Sequence, residues 1–162
     1  MRAFGGRSLF FVLLLVLSFA AACGGDSDER QFAEAISAQN QRWVETGERP
    51  LADLVLRLAN QPTTIVDRRA DVVASLDALI SLNGEVLAAT EGLRPPSERA
   101  LACHEAQLSR VRDERNWVGQ LRTAIGQTAD ASAVAMLATF RDLAPAITKA
   151  DEACSTFIDR VN

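Results

Sequence analysis

No tyrosine occurs in the chain, and histidine and lysine occur once each, as His104 and Lys149. These absences exclude several kinds of chemistry. A four-helix di-iron centre needs two Glu-x-x-His motifs, so one histidine rules it out. A catalytic zinc needs several clustered His, Cys or carboxylate ligands, and no such spacing occurs. There is no glycine-rich phosphate loop, no G-x-S-x-G nucleophile elbow and no calcium loop. No segment alternates apolar and polar residues as a strand does, and no internal repeat is visible. Basic excess is also missing. The net charge is −4, so no nucleic-acid partner is expected, because phosphate binding needs a basic face. The expectation is a chain that is not an enzyme, with no catalytic residue, no metal and no cofactor. Basic residues are almost all arginine, a composition expected of a GC-rich bacterial genome.

What is present begins at the N-terminus. Arg2 and Arg7 precede an apolar run from Leu9 to Ala22 broken only by Ser18. A basic start, a short apolar core and small residues before a break are the marks of a secretory signal peptide. A spanning helix takes roughly 20 apolar residues, so the run is short for a permanent anchor. Ala20-Ala21-Ala22-Cys23 resembles the lipobox of bacterial lipoproteins, with Ala20 where that family usually has leucine. The resemblance implies that the Cys23 sulfur receives a diacylglycerol and that cleavage makes Cys23 the new N-terminus. The same alanines also satisfy the A-x-A rule for ordinary cleavage, which would release a freely secreted protein. The expected organisation is a signal peptide over 1–22, a tether over 23–30 and a helical-bundle domain over 31–162. Losing residues 1–22 removes Arg2 and Arg7 and moves the net charge from −4 to about −6.

Apolar spacing of three and four predicts helices throughout the remainder. A first helix is expected over about 28–46, with Phe32, Ile36, Gln39 and Trp43 on one stripe and Gly47 as its stop. A short helix over 51–60 follows Pro50. A third helix, about 64–92, carries Val72, Leu76, Leu79, Asn83, Val86 and Thr90, with Gly92-Leu93 as a Schellman ending before Pro95-Pro96. A fourth, about 97–126, carries Leu101, His104, Leu108, Val111, Val118, Leu121 and Ile125. A last, about 130–161 after an Asp130 cap, carries Val134, Leu137, Phe140, Ala144, Ile147, Cys154 and Phe157, with a kink at Pro145. The fold class is all-α: an up-and-down four-helix bundle with a short extra helix and one disulfide.

Three cysteines are an odd number for an exported protein. Lipidation uses Cys23, which leaves Cys103 and Cys154 for each other in a compartment where disulfides persist. Hairpin geometry agrees. The two are almost equidistant from Thr128, the centre of the last loop, so they face each other in an antiparallel pair. The same register sets Ala100 against Phe157, Trp117 against Phe140 and Leu121 near Leu137. Ala100-Leu101-Ala102-Cys103-His104 lacks the first cysteine of a C-x-x-C-H haem site. Cys103 and His104, adjacent in a helix, do not face each other as a nucleophile pair would. His104 reads as a hydrogen-bonded core residue. The charge run Arg110 to Arg115 reads as solvated surface. Asn83 and Gln107, symmetric about Pro95, are expected to bond across two helices. Leu93-Arg94-Pro95-Pro96-Ser97-Glu98, with His104 following, resembles a stretch of small predicted actinobacterial lipoproteins, which implies a helical bundle and supplies no active site. The functional expectation is a lipoprotein bound to the cell membrane by its lipid anchor on the extracytoplasmic face. There it would act as a non-enzymatic interaction module with an envelope protein as partner. The alternative is a small-ligand carrier with a pocket near Asn83, His104 and Gln107.

Overall fold

The computed structural model describes residues 24–128 and 130–161. The expected signal peptide and Cys23 lie outside the described residues. Helix α1, Gly24–Trp43, passes through a π-helical turn, Val44–Glu48, directly into α2, Arg49–Asn60. A single turn α3, Thr63–Asp67, leads to α4, Arg69–Glu91, and then α5, Glu98–Gly126. Helix α6, Asp130–Ala138, continues through a 3-10 stretch, Thr139–Leu143, into α7, Ala144–Val161. The described residues contain no strand, and α1, α4, α5 and α7 pack around one another as an up-and-down bundle. Toward the 61–68 corner, α2 and α6 take over from α1 and α7.

Several local expectations are met. Ser97 caps α5, its side chain accepting from the Ala100 N–H at 3.3 Å. Pro50 sits in the first turn of α2. All six stripe residues of α4 from Val72 to Thr90 are buried. By length and composition α4 is the one described helix able to cross a membrane. In the fold its carboxylates pair across the bundle instead: Glu85 with Arg42 at 2.8 Å, Glu91 with Arg112 at 2.8 Å and Asp77 with Arg122 at 2.9 Å.

Other boundaries differ, each for a physical reason. The first helix starts at Gly24 rather than near 28, inside the expected tether. Gly47 is not a stop. It is buried in the π turn, and a Cβ there would overlap the Trp43 ring, so glycine lets the indole lie flat on the backbone. Gly92 keeps a right-handed φ of −72°, so no Schellman ending forms. Pro95 and Pro96, which force the preceding residues into extended backbone, end the helix instead. The third helix breaks at Arg68, where Nε and Nη2 both reach Asp71. The next residue, Arg69, ties this corner to the loop at the same end of the bundle. It donates to the Ile125 carbonyl at 2.6 Å and to Asp130 at 2.7 Å, joining the C-terminus of α5 to the start of α6.

The Pro145 kink takes the form of the 3-10 stretch. Pro145 has no N–H to bond the Arg141 carbonyl, and the Ala144 N–H takes that oxygen instead. A 3-10 turn holds about 3.0 residues against about 3.6 in an α-helix, so five residues overwind by about one position. Leu143 therefore faces the core where Ala144 was expected, and Ala144 is exposed. Leu101 and Val134 were also expected inside but are 40% and 45% exposed. Each lies one position off the line that its helix buries, Ala100–His104 and Ala133–Leu137.

The hairpin register holds as expected between α5 and the last segment. Cys103 and Cys154 form a disulfide with Cα atoms 4.6 Å apart. It sits in a buried cluster with Phe32, Ile36, Ala100 and Phe157. Trp117 and Phe140 meet at a tilt of 59° with centroids 5.2 Å apart, and the indole N–H donates to Thr139 Oγ1 at 2.9 Å. Leu121 and Leu137 share the large apolar core at the other end, with Leu58, Leu76 and Ile125.

Candidate functional site

Between the two apolar ends lies a belt of polar side chains on α1, the π turn, α4, α5 and α7. Its centre is Arg110, 1% exposed. Its guanidinium donates to Glu114 Oε1 at 3.0 Å, Asn40 Oδ1 at 3.1 Å and Asp151 Oδ1 at 3.3 Å, and to Glu48. One side chain thus holds four elements together, the π turn among them. Arg110 and Glu114 were expected at the solvated surface, and the structure corrects this. The cause is phase: Cys103, Gln107, Arg110, Glu114, Trp117 and Leu121 follow one another at steps of four and three, a single inward line along α5.

Three carboxylates surround this one cation. Glu48 and Asp151 keep side-chain exposures of 29% and 58%, while Glu114 has 2%. Burial pushes the Glu114 carboxyl above the ordinary glutamate range, and the Glu48 charge adds to the rise. The Arg110 charge and hydrogen bond oppose it. The Trp43 indole N–H, directed at this carboxyl, opposes the rise too, although neither it nor Glu114 Oε2, both buried, closes a hydrogen bond of normal geometry.

His104 lies beside the belt as a core residue. Its Nε2–H donates to the Thr90 carbonyl at 2.7 Å, and its ring meets Phe32 edge-on at 6.1 Å. Thr90 Oγ1 donates to the Val86 carbonyl at 2.8 Å. Asn83 and Gln107 are buried as expected, but the Asn83–Gln107 bond does not form: neither Asn83 amide atom has a partner. The extended Pro95–Pro96 connector offsets α5 along α4. Thr90 therefore faces His104 and Asp77 faces Arg122, rather than the residues equidistant from Pro95. The space in this layer is about 10 Å³, lined by Gln39, Asn40, Thr90 and Gln107 among others.

Concave surface lies outside the belt. A groove of about 520 Å³ runs between α2 and α4, floored by Leu54, Leu79 and Leu82 with Asp53 and Arg57 on its rim. A second, about 690 Å³, crosses α5 between Ile80 of α4 and Met136 of α6, and Arg115 is its one charged lining residue. Among the described residues no cluster of His, Cys, Asp or Glu is arranged to hold a metal ion. Compared with known proteins, no family model, curated protein or solved structure matches the chain.

Proposed function

We propose that this chain is a membrane-anchored extracytoplasmic lipoprotein whose helical bundle works as a non-enzymatic interaction module. The observation that carries the module reading is the tightness of the interior. Arg110 uses four of its five N–H donors on partners within its own bundle, and the layer beside it offers about 10 Å³. Drug-sized ligands occupy pockets of roughly 300–1,000 Å³, so binding falls to the outer faces, where the two grooves lie. The carrier alternative, with a pocket near Asn83, His104 and Gln107, needs the helices to part there.

Anchoring rests on Ala20–Cys23 and on cysteine arithmetic. With Cys103 bonded to Cys154, Cys23 is the one cysteine outside that bond. A diacylglycerol brings two chains, enough for stable membrane binding. Intact-mass measurement on membrane-fraction protein should show acyl groups on Cys23, and an unmodified Cys23 overturns the anchor. Crosslinking on intact cells should join the bundle to one reproducible envelope protein through its outer faces. Recovery of uncrosslinked protein alone overturns the module.

A further inference from the structure

We infer that the belt contains a built-in binding site for one long-lived water molecule, bridging α1 and α5 between Gln39 and Gln107. Among the described residues, the buried side-chain atoms that lack hydrogen-bond partners are Gln39 Oε1, Trp43 Nε1, both Asn83 amide atoms, Gln107 Nε2 and Glu114 Oε2. They lie on α1, α4 and α5. Buried polar groups left unpaired cost about 1–3 kcal/mol each, so such a concentration requires an explanation.

Three of them, on Gln39, Trp43 and Gln107, belong to residues that line the same cavity of about 10 Å³, and the two glutamine amides are the pair that can bridge α1 to α5. A water needs about 10–15 Å³ and two to four polar partners. The volume admits one molecule. Gln39 Oε1 accepts one of its O–H groups, and Gln107 Nε2–H donates to its oxygen. Thr90 lines the same cavity, and its hydroxyl, already donating to the Val86 carbonyl, keeps lone pairs to accept the second O–H. Rotating both glutamine amides by half a turn exchanges donor for acceptor on each side and leaves the site equally satisfied. Ile36, Trp43, Val86 and Val111, each 2% exposed or less, wall the cavity, which opens outward past half-buried Gln39 and Asn40, and these walls with three hydrogen bonds slow exchange with bulk water. Asn83 does not line this cavity and is not served by it.

Deuteron and oxygen-17 relaxation dispersion on the full chain in detergent counts waters held longer than the tumbling time. The wild type should hold at least one. Gln107→Leu should reduce the count by one with helicity and the disulfide unchanged. Gln39→Met, at a half-buried position where the fold tolerates the change, should do the same and covers the case in which Gln107→Leu does not fold. A wild type without a long-lived water, or a count unchanged by either substitution, overturns the site. Neither outcome bears on Cys23 or on the outer faces, so this test stands apart from that of the proposed function.

Discussion

The apolar end of the bundle and the polar belt are built on the same helices by opposite means. At the apolar end, the side chains of Leu58, Leu76, Leu121 and Ile125 are fully buried in one cluster of apolar residues. Such packing is non-directional, and each buried leucine contributes about 1.5–3 kcal/mol by leaving water. The belt buries Arg110 and Glu114 as completely, yet the cost of desolvating them offsets much of their mutual attraction. What the belt adds is direction. Arg110 accepts one arrangement of Asn40, Glu48, Glu114 and Asp151, and so sets how α1, the π turn and α7 meet α5. The apolar end holds the helices together, and the belt decides their register.

The sharpest way to break this contrast is at Arg110. Arg110→Ala leaves Glu114 buried beside Glu48 without a cation and should cost about 4 kcal/mol in urea denaturation. Replacing the pair together, Arg110→Met with Glu114→Leu, should restore most of that stability, because well-packed apolar residues often substitute for a buried ion pair. If the double variant is as unstable as the single one, the belt is a net stabilising element. The comparison at the apolar end is Leu121→Ala, expected to cost about 3 kcal/mol through lost transfer and the cavity left behind.

Gly47→Ala tests the seam between the two regions. Its Cβ would overlap the Trp43 ring, so the indole must shift, at a cost of about 1–3 kcal/mol read from the denaturation midpoint. The smallest effect is the most diagnostic. The folded-state pKa of Glu114 is raised, so the native state holds its proton more tightly than the unfolded chain does. Its contribution to stability is therefore full below pH 4.5, the ordinary glutamate value, and is lost as pH rises through the folded value. Glu114→Gln mimics the protonated acid. The gap between wild type and Glu114→Gln should open, with the variant the more stable, as pH rises from 5 to 8. Parallel stability curves for the two proteins would sink the assignment.

Much of this fold was legible because helical spacing reports burial when the buried residues are apolar. The α4 stripe from Val72 to Thr90 needed nothing more, and Cys103 and Cys154 revealed their pairing through equal distances from Thr128. Arg110 and Glu114 were not legible by residue type, since a charged pair beside Arg112, Asp113 and Arg115 looks like solvated surface. Their signal lay in position, on the line from Cys103 to Leu121, and chemistry masked it. The belt as a whole was only half visible. Asn83, Gln107 and His104 stood out as polar residues on apolar stripes, whereas Asn40, Glu48 and Asp151 carried no mark at all.

The sequence by itself determined the class of fold, the four long helices, the hairpin register around Thr128 and the cysteine pair. Each follows from spacing along one chain or from a single turn, where the relevant distances are counted in residues. Tertiary structure alone decided the rest. It offset α5 against α4 through the Pro95–Pro96 connector, turned the 3-10 stretch so that Leu143 rather than Ala144 enters the core, and ran the chain through Gly47 without a stop. It also gathered Asn40, Glu48, Glu114 and Asp151 on one guanidinium. A buried charge is tolerated only where several partners converge on it, and that convergence exists only once four separate segments have packed.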